Sequence, residues 1–274
     1  LVEPPNFRKP IFGQDFYWRP LAAPPRGVIG QGIAVSDTEI LMVAHHLPIT
    51  VVVGASGTTV QALTTSRALL RKAFDAQTCI LLRGYIPILL RALPFRLSHP
   101  DKDLEVLVDQ LVGSASDGRS IYSLEGTLDP TVARVRDTLV RCHTGIERLT
   151  AAANQLFAAN LLVELPALAD ERRSIRCYTV NFDALQSLGK LQLVGLASNG
   201  FLTMDLIASL IFSMRHLRPG VRNGQGSNTD IGPVPMTAEA IDRLVREAGR
   251  IELELDDGDM IHADVLSNIP LDGA

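Results

Sequence analysis

Six histidines and three cysteines are the first places to look for chemistry in this chain of 274 residues. His45-His46 is an adjacent imidazole pair. Neighbours on a helix point about 100° apart, so the two do not converge on one metal. One of them is expected to face the core or a cleft, where it either packs or serves ligand binding or catalysis. Cys142, His143 and Glu147 share one helical region, and His143 and Glu147 face together at i,i+4, but no third ligand lies within sequence reach. His262-Ala263-Asp264 matches the first part of an iron-binding facial triad, and no histidine follows it to complete the set. Gly54-Ala55-Ser56-Gly57 is not a nucleophile elbow, because its serine directly precedes the second glycine; a hairpin turn accounts for it. Neither glycine-rich phosphate-binding fingerprint follows any strand. No complete catalytic constellation is present, and neither a cofactor nor a metal is expected.

One more segment can do chemistry. In Tyr85-Ile86-Pro87-Ile88-Leu89-Leu90-Arg91-Ala92-Leu93-Pro94-Phe95, two prolines bracket a short apolar helix that bears one arginine. Helix packing is one reading. The other is a peptide- or ligand-binding edge, with Tyr85 and Arg91 as polar handles.

These residues need elements to hold them. The first 25 residues, with Pro4, Pro5, Pro10, Pro20, Pro24 and Pro25, read as an extended arm anchored by Tyr17 and Trp18. Ser36-Asp37-Thr38-Glu39 fits a capping box, and the helix behind it carries Ile40, Leu41, Val43, Ala44 and Leu47 until Pro48 stops it. Ile49 to Val53 is a β-branched strand, with a return strand from Thr58 to Thr64. The chain is apolar again around Cys79 to Leu82, and Leu104 to Val108 is a further strand. Asp129-Pro130 caps a long amphipathic helix, in which Val132, Val135, Leu139, Cys142, Ile146, Leu149, Ala153 and Leu156 recur at steps of three and four. Leu161–Leu165 and Ile175–Val180 are expected to pair, Asn181 to cap a short helix, and Gly200 to precede an apolar helix from Leu202 to about Met214. Residues 221–235 read as a flexible linker, and residues 236–274 as an acidic helix plus a β-hairpin. The expected architecture is α+β: a single main domain over residues 26–220, with a mixed or antiparallel sheet covered by helices, plus that C-terminal helix-hairpin appendage.

Composition narrows the function classes. Hydrophobic residues make up 46% and charged residues 20%, enough to fill a core and too apolar for a disordered chain. The net charge of −4 is uneven: residues 1–100 carry ten Lys/Arg against five Asp/Glu, whereas residues 236–274 carry three against ten. An acidic tail and a near-neutral middle do not make a nucleic-acid binder. The acidic tail is able to dock on the basic half of its own chain or on a basic partner. Three widely spaced cysteines without a CxxC read as thiols of a reducing compartment. No membrane span and no secretory leader is visible, so the expected location is cytoplasmic.

Tyr85 to Phe95 is similar to the central signature Y-[IV]-P-x-[YI]-[IVL]-R-R-Y-P-F of bacterial SapC-like proteins. Glu39 … His45-His46-Leu47-Pro48-Ile49 resembles that family's Tyr-Pro-Ile-Val segment, and Ile121-Tyr122-Ser123-Leu124-Glu125-Gly126-Thr127 resembles its step before the long helix. The likeness covers roughly Arg26 to Leu217. Leu47 and Leu93 stand where the family usually has aromatic residues, and Ala92 replaces a second arginine. The resemblance implies a bacterial origin and a link to surface-layer or outer-membrane uptake loci, often beside flavin-dependent halogenase-like and cupin-like genes. It implies no established reaction and no agreed catalytic residues.

Two functions follow from this reading. The preferred one is a soluble accessory protein that recognises a peptide or a partner protein. The alternative is an enzyme or enzyme subunit modifying a peptide or small metabolite, with its site near His45, His46, Tyr85 and Arg91. Assembly into a homo-oligomer through the Ile251–Leu266 hairpin is a third expectation.

Overall fold

A computed structural model describes residues 5–21, 24–25, 32–55, 57–64, 69, 84–98, 102–168, 175–197 and 200–217. The linker, the acidic tail with its hairpin and His262, and the Cys79 to Leu82 stretch lie outside the described residues.

The central feature is an antiparallel sheet in the order β10-β11-β4-β5-β3, made of β3 (Gly32–Ala34), β4 (Ile49–Gly54), β5 (Gly57–Leu63), β10 (Leu162–Glu164) and β11 (Arg176–Val180). Its middle strand β4 is the β-branched run seen in the sequence. Ile49, Thr50, Val51 and Val52 are all buried, as a strand covered on both faces requires. β4 pairs with β5 through the expected hairpin, and β11 adds to its other edge with Tyr178 opposite Val51. Two small sheets hold the other strands among the described residues. One orders β1 (Phe7–Arg8), β7 (Leu104–Leu107) and β6 (Phe95–Leu97) as β1-β7-β6. The other places β2 (Tyr17–Trp18) between β8 (Leu111–Val112) and β9 (Arg119–Ser120). All the pairings are antiparallel. The N-terminal segment therefore supplies strands as well as an overlay. Trp18 anchors it as expected, buried edge-on against Phe95 with ring centroids 4.8 Å apart.

Helices cover these strands: α1 (Ile40–His46), α2 (Ile88–Arg91), α3 (Pro130–Ala158), α4 (Phe182–Gln186), α5 (Lys190–Ala197) and α6 (Leu202–Ser213). α3 starts as read, with the Asp129 carboxylate accepting the Thr131 amide at 2.8 Å and Pro130 in the first turn. It buries Val132, Leu139, Cys142, Leu149, Ala153 and Leu156, while Val135 and Ile146 are only half-buried. Gly145 takes the inward place that Ile146 was expected to fill. Asn181 caps α4 through the Ala184 amide at 3.2 Å. α6 is the core helix of the domain, with Leu206 and Leu210 fully buried. Two polar ties hold it: Ser213 Oγ accepts the Ile49 amide of β4 at 2.9 Å, and Thr203 Oγ1 donates to Gln155 of α3 at 2.7 Å. The architecture is α+β, one antiparallel core sheet backed by α3 and α6. No single helix among the described residues is long and apolar enough to cross a membrane. α5 and α6 meet the length and composition only as a pair bent by 105°.

Candidate functional site

The region is built on Glu39, which precedes α1 and is 2% exposed. Its Oε2 accepts the main-chain N–H of Ile88 at 2.8 Å, and its Oε1 accepts that of Ser36 at 3.4 Å. The Tyr85 hydroxyl faces the same carboxylate. Burial raises the Glu39 carboxyl above its ordinary value, and the amide donors offset this only in part. Half of the expected capping box is present: the carboxylate reaches back to the Ser36 amide. The Ser36 hydroxyl instead donates to Asp37 Oδ1 at 3.2 Å, so the Glu39 amide turns to the Ser36 carbonyl at 3.2 Å.

From Tyr85 the network reaches solvent. Arg91 Nη2 donates to the Tyr85 hydroxyl oxygen at 2.7 Å, with its guanidinium carbon 5.1 Å from the ring centroid. Burial first, and then the nearby Glu39 charge, push the Tyr85 phenol up to about 12, so at neutral pH it keeps its proton and can donate. Arg91 is exposed, Tyr85 half-buried and Glu39 buried.

The two ends of this segment fix its course. Gly84, at φ +96°, lies so close to His46 that a Cβ there would meet His46 Cβ at 3.0 Å. At the other end Ile88 is bonded to Glu39. Residues 84–88 therefore run antiparallel to α1, from its last turn to its first. The lengths agree: seven helical residues rise about 10 Å, and four extended steps span about 13 Å.

α1 turns one face inward, with Ile40, Val43, Ala44 and the following Leu47 buried. Its outer face exposes Leu41 at 60% and Met42 at 54%, together with His45 and His46. Neither histidine is in the core; both lie on the outer side of α1, with His46 beside Gly84. Positions 45 and 46 lie one helical turn beyond 41 and 42, on the same outward side. Leu41, one of the apolar residues this helix carries, goes outward with them.

Residues distant in sequence complete this end. The His45 ring stacks on Phe212 of α6 at 6.0 Å and meets His46 edge-on at 4.9 Å. Arg215 Nη2 donates to the His45 carbonyl at 2.8 Å and reaches its Nδ1 at 3.3 Å, while its guanidinium carbon lies 3.8 Å from the Phe212 centroid. His216 Nε2 is 3.2 Å from the Ala44 carbonyl. Burial lowers His46 and His216 below their ordinary values, and neighbouring positive charge adds to the effect.

Behind Glu39, Cys142 of α3 is buried, and its thiol is pushed up to about 12, mainly by burial and next by the Glu39 charge. Burial raises Cys177 as well, so both remain protonated and unreactive at neutral pH. α3 approaches the Ser36-Asp37 turn at Gly145, where a Cβ would fall 2.1 Å from Ser36 Oγ. One turn on, Arg148 pairs with Asp37 at 2.9 Å. His143 turns Nδ1 to its own helix's Leu139 carbonyl at 3.2 Å, and Glu147 pairs with Lys102 at 3.4 Å. Among the described residues no group of three His, Cys, Asp or Glu side chains is placed to hold a metal.

All four sequence-selected residues thus border one region: His45 and His46 at one end of the antiparallel segment, Tyr85 and Arg91 toward the other. Sequence reasoning missed Glu39 as the centre. The available signal was its position at the head of the longest stretch without Asp, Glu, Lys or Arg, Ile40 to Ser66. Phe212, Arg215 and His216 carried no local signal at all.

A family model described as SapC matches residues 30–219. No curated protein and no solved structure gives a significant match.

Proposed function

Since the chain belongs to the SapC family, we propose on that premise that it is a recognition protein. It binds a peptide segment of a partner protein along the outer face of α1 and the neighbouring Gly84–Arg91 segment. The observation that supports this reading is the pinning of residues 84–88 along α1 by Gly84 against His46 and by Ile88 on Glu39. A surface held at both ends loses little freedom on binding, which lowers the cost of association. It offers Leu41 and Met42 as adaptable apolar contacts, and Tyr85, Arg91 and the two histidines as orienting polar groups. The test is selection from a displayed random peptide library. Wild-type protein should enrich a common sequence pattern, and Leu41→Asp/Met42→Asp should lose it while melting at the same temperature. No enrichment, or enrichment that survives in the variant, would sink the reading.

One observation favours the second reading, an enzyme or enzyme subunit acting on a peptide or small metabolite. Glu39, Tyr85 and Arg91 connect a buried carboxyl, raised above its ordinary value by burial, to a solvent-exposed guanidinium. If this is catalysis, a selected peptide incubated with wild type changes mass, and Tyr85→Phe stops the change even at saturating peptide. An unchanged peptide mass removes this version.

A further inference from the structure

Among the described residues a single sulfur lies in the open. Cys142 and Cys177 are buried, and burial holds both thiols protonated at neutral pH. Met204 and Met214 are half-buried, packed against the apolar clusters beneath them. Met42 is 54% exposed. Oxidation of a thioether follows access, because the oxidant must reach the sulfur lone pair.

α1 places Met42 midway along the recognition face. Glu39, which fastens Ile88, lies three residues before it. His46, against which Gly84 is seated, lies four residues after it, one turn away on the same side. Leu41 beside it is also exposed. A methionine suits such a face, because its flexible thioether fits apolar side chains of many shapes. The sulfoxide does not. Its dipolar oxygen holds water that must be stripped away before the face can be covered.

We propose that Met42 is the oxidation-sensitive position of the recognition face, and that its conversion to the sulfoxide by a peroxide releases the bound peptide segment. The proposal rests on the recognition reading above and adds its regulation. The sulfur lone pair attacks one peroxide oxygen, so an S–O bond forms as the O–O bond breaks. The sulfur gives up two electrons, and the leaving hydroxide takes the proton of the transferred oxygen and departs as water. Two thiols reverse the step: they become a disulfide, and the sulfoxide oxygen leaves as water, with one reductase for each sulfoxide epimer. The inward face of α1, formed by Ile40, Val43 and Ala44, takes no part, so the fold is kept in both states.

The test treats the full chain with dilute hydrogen peroxide and follows two readouts. Peptide mapping should find Met42 gaining oxygen about tenfold faster than Met204 or Met214, with the three rates converging in urea. Surface plasmon resonance against a peptide from the library selection should show the treated protein binding about tenfold more weakly, at an unchanged melting temperature. The two methionine sulfoxide reductases with a dithiol should restore the lost affinity. Met42→Leu is compared only with itself, and its affinity should not change on the same treatment. Equal oxidation of the three methionines in the folded chain overturns the proposal and leaves the recognition reading in place. Full affinity after Met42 has been oxidised does the same, as does an equal loss in peroxide-treated Met42→Leu. A library that yields no peptide overturns both.

Discussion

The amide of Ile88 donates to the buried carboxylate of Glu39 at 2.8 Å, across 49 residues of sequence. This bond turns a turn-forming acid into the fastener of the proline-bracketed segment. It also satisfies a backbone donor at the start of α2, where the fixed proline ring cannot help. With Gly84 seated on His46, it sets the whole outer face of α1.

Replacing Glu39 separates fastening from charge. Glu39→Ala leaves the Ser36 and Ile88 amides without their acceptor in a buried place, each at a cost of about 1–3 kcal/mol. Glu39→Gln keeps one acceptor oxygen and should cost clearly less. Urea unfolding measures both; equal losses would show that the carboxylate does not hold the segment.

The same residue gives stability a pH dependence of known sign. Its folded value lies above 4.5, so its contribution is complete below that and is lost as pH rises through the folded value. Wild type should therefore lose ground to Glu39→Gln as pH is raised from about 4 to about 7. A wild-type advantage that grows with pH would contradict the burial effect.

His46 and His216 act at the next step of pH, in the opposite sense. Their folded values lie below 6.5, so the stability they contribute is present above 6.5 and is lost as pH falls through the folded values. His46→Gln/His216→Gln should flatten the decline of unfolding free energy on acidification. An unchanged decline would assign it to other groups.

Much of the scaffold was legible, and the reason is local. The β-branched run of β4, the Asp129-Pro130 start of α3 and the Asn181 cap are decided within a few residues. Gly145 was not legible, because its reason is the Ser36-Asp37 turn more than 100 residues away in sequence. The outward place of Leu41 was not legible either, since a seven-residue helix gives too little periodicity to fix its face. Of the site, His45, His46, Tyr85 and Arg91 were chosen by type, whereas Phe212 and Arg215 join them only through packing of α6.

Gly145→Ala tests that packing. The added methyl meets Ser36 Oγ at 2.1 Å and Asp37 Oδ1 at 2.2 Å, and Arg148 holds Asp37 in place. Overpacking of this kind costs about 1–3 kcal/mol, more than the gain in helix propensity of up to about 1 kcal/mol. Thermal unfolding should show a net loss; a gain would mean the turn yields freely.

Cys142 and Cys177 should resist iodoacetamide in the folded protein near pH 8 and react on unfolding, because each is buried and its thiol is raised. Peptide mapping reads each site separately. Rapid alkylation of Cys142 in the native state would mean that the wall behind Glu39 is open.

The most direct test of the recognition surface is hydrogen exchange of the full chain with and without a saturating peptide from the library selection. Exchange should slow over residues 39–47, 84–93 and 212–217, and stay unchanged over α5. Slowing that falls on α5 or the small sheets, and leaves those three segments as they were, would contradict the account.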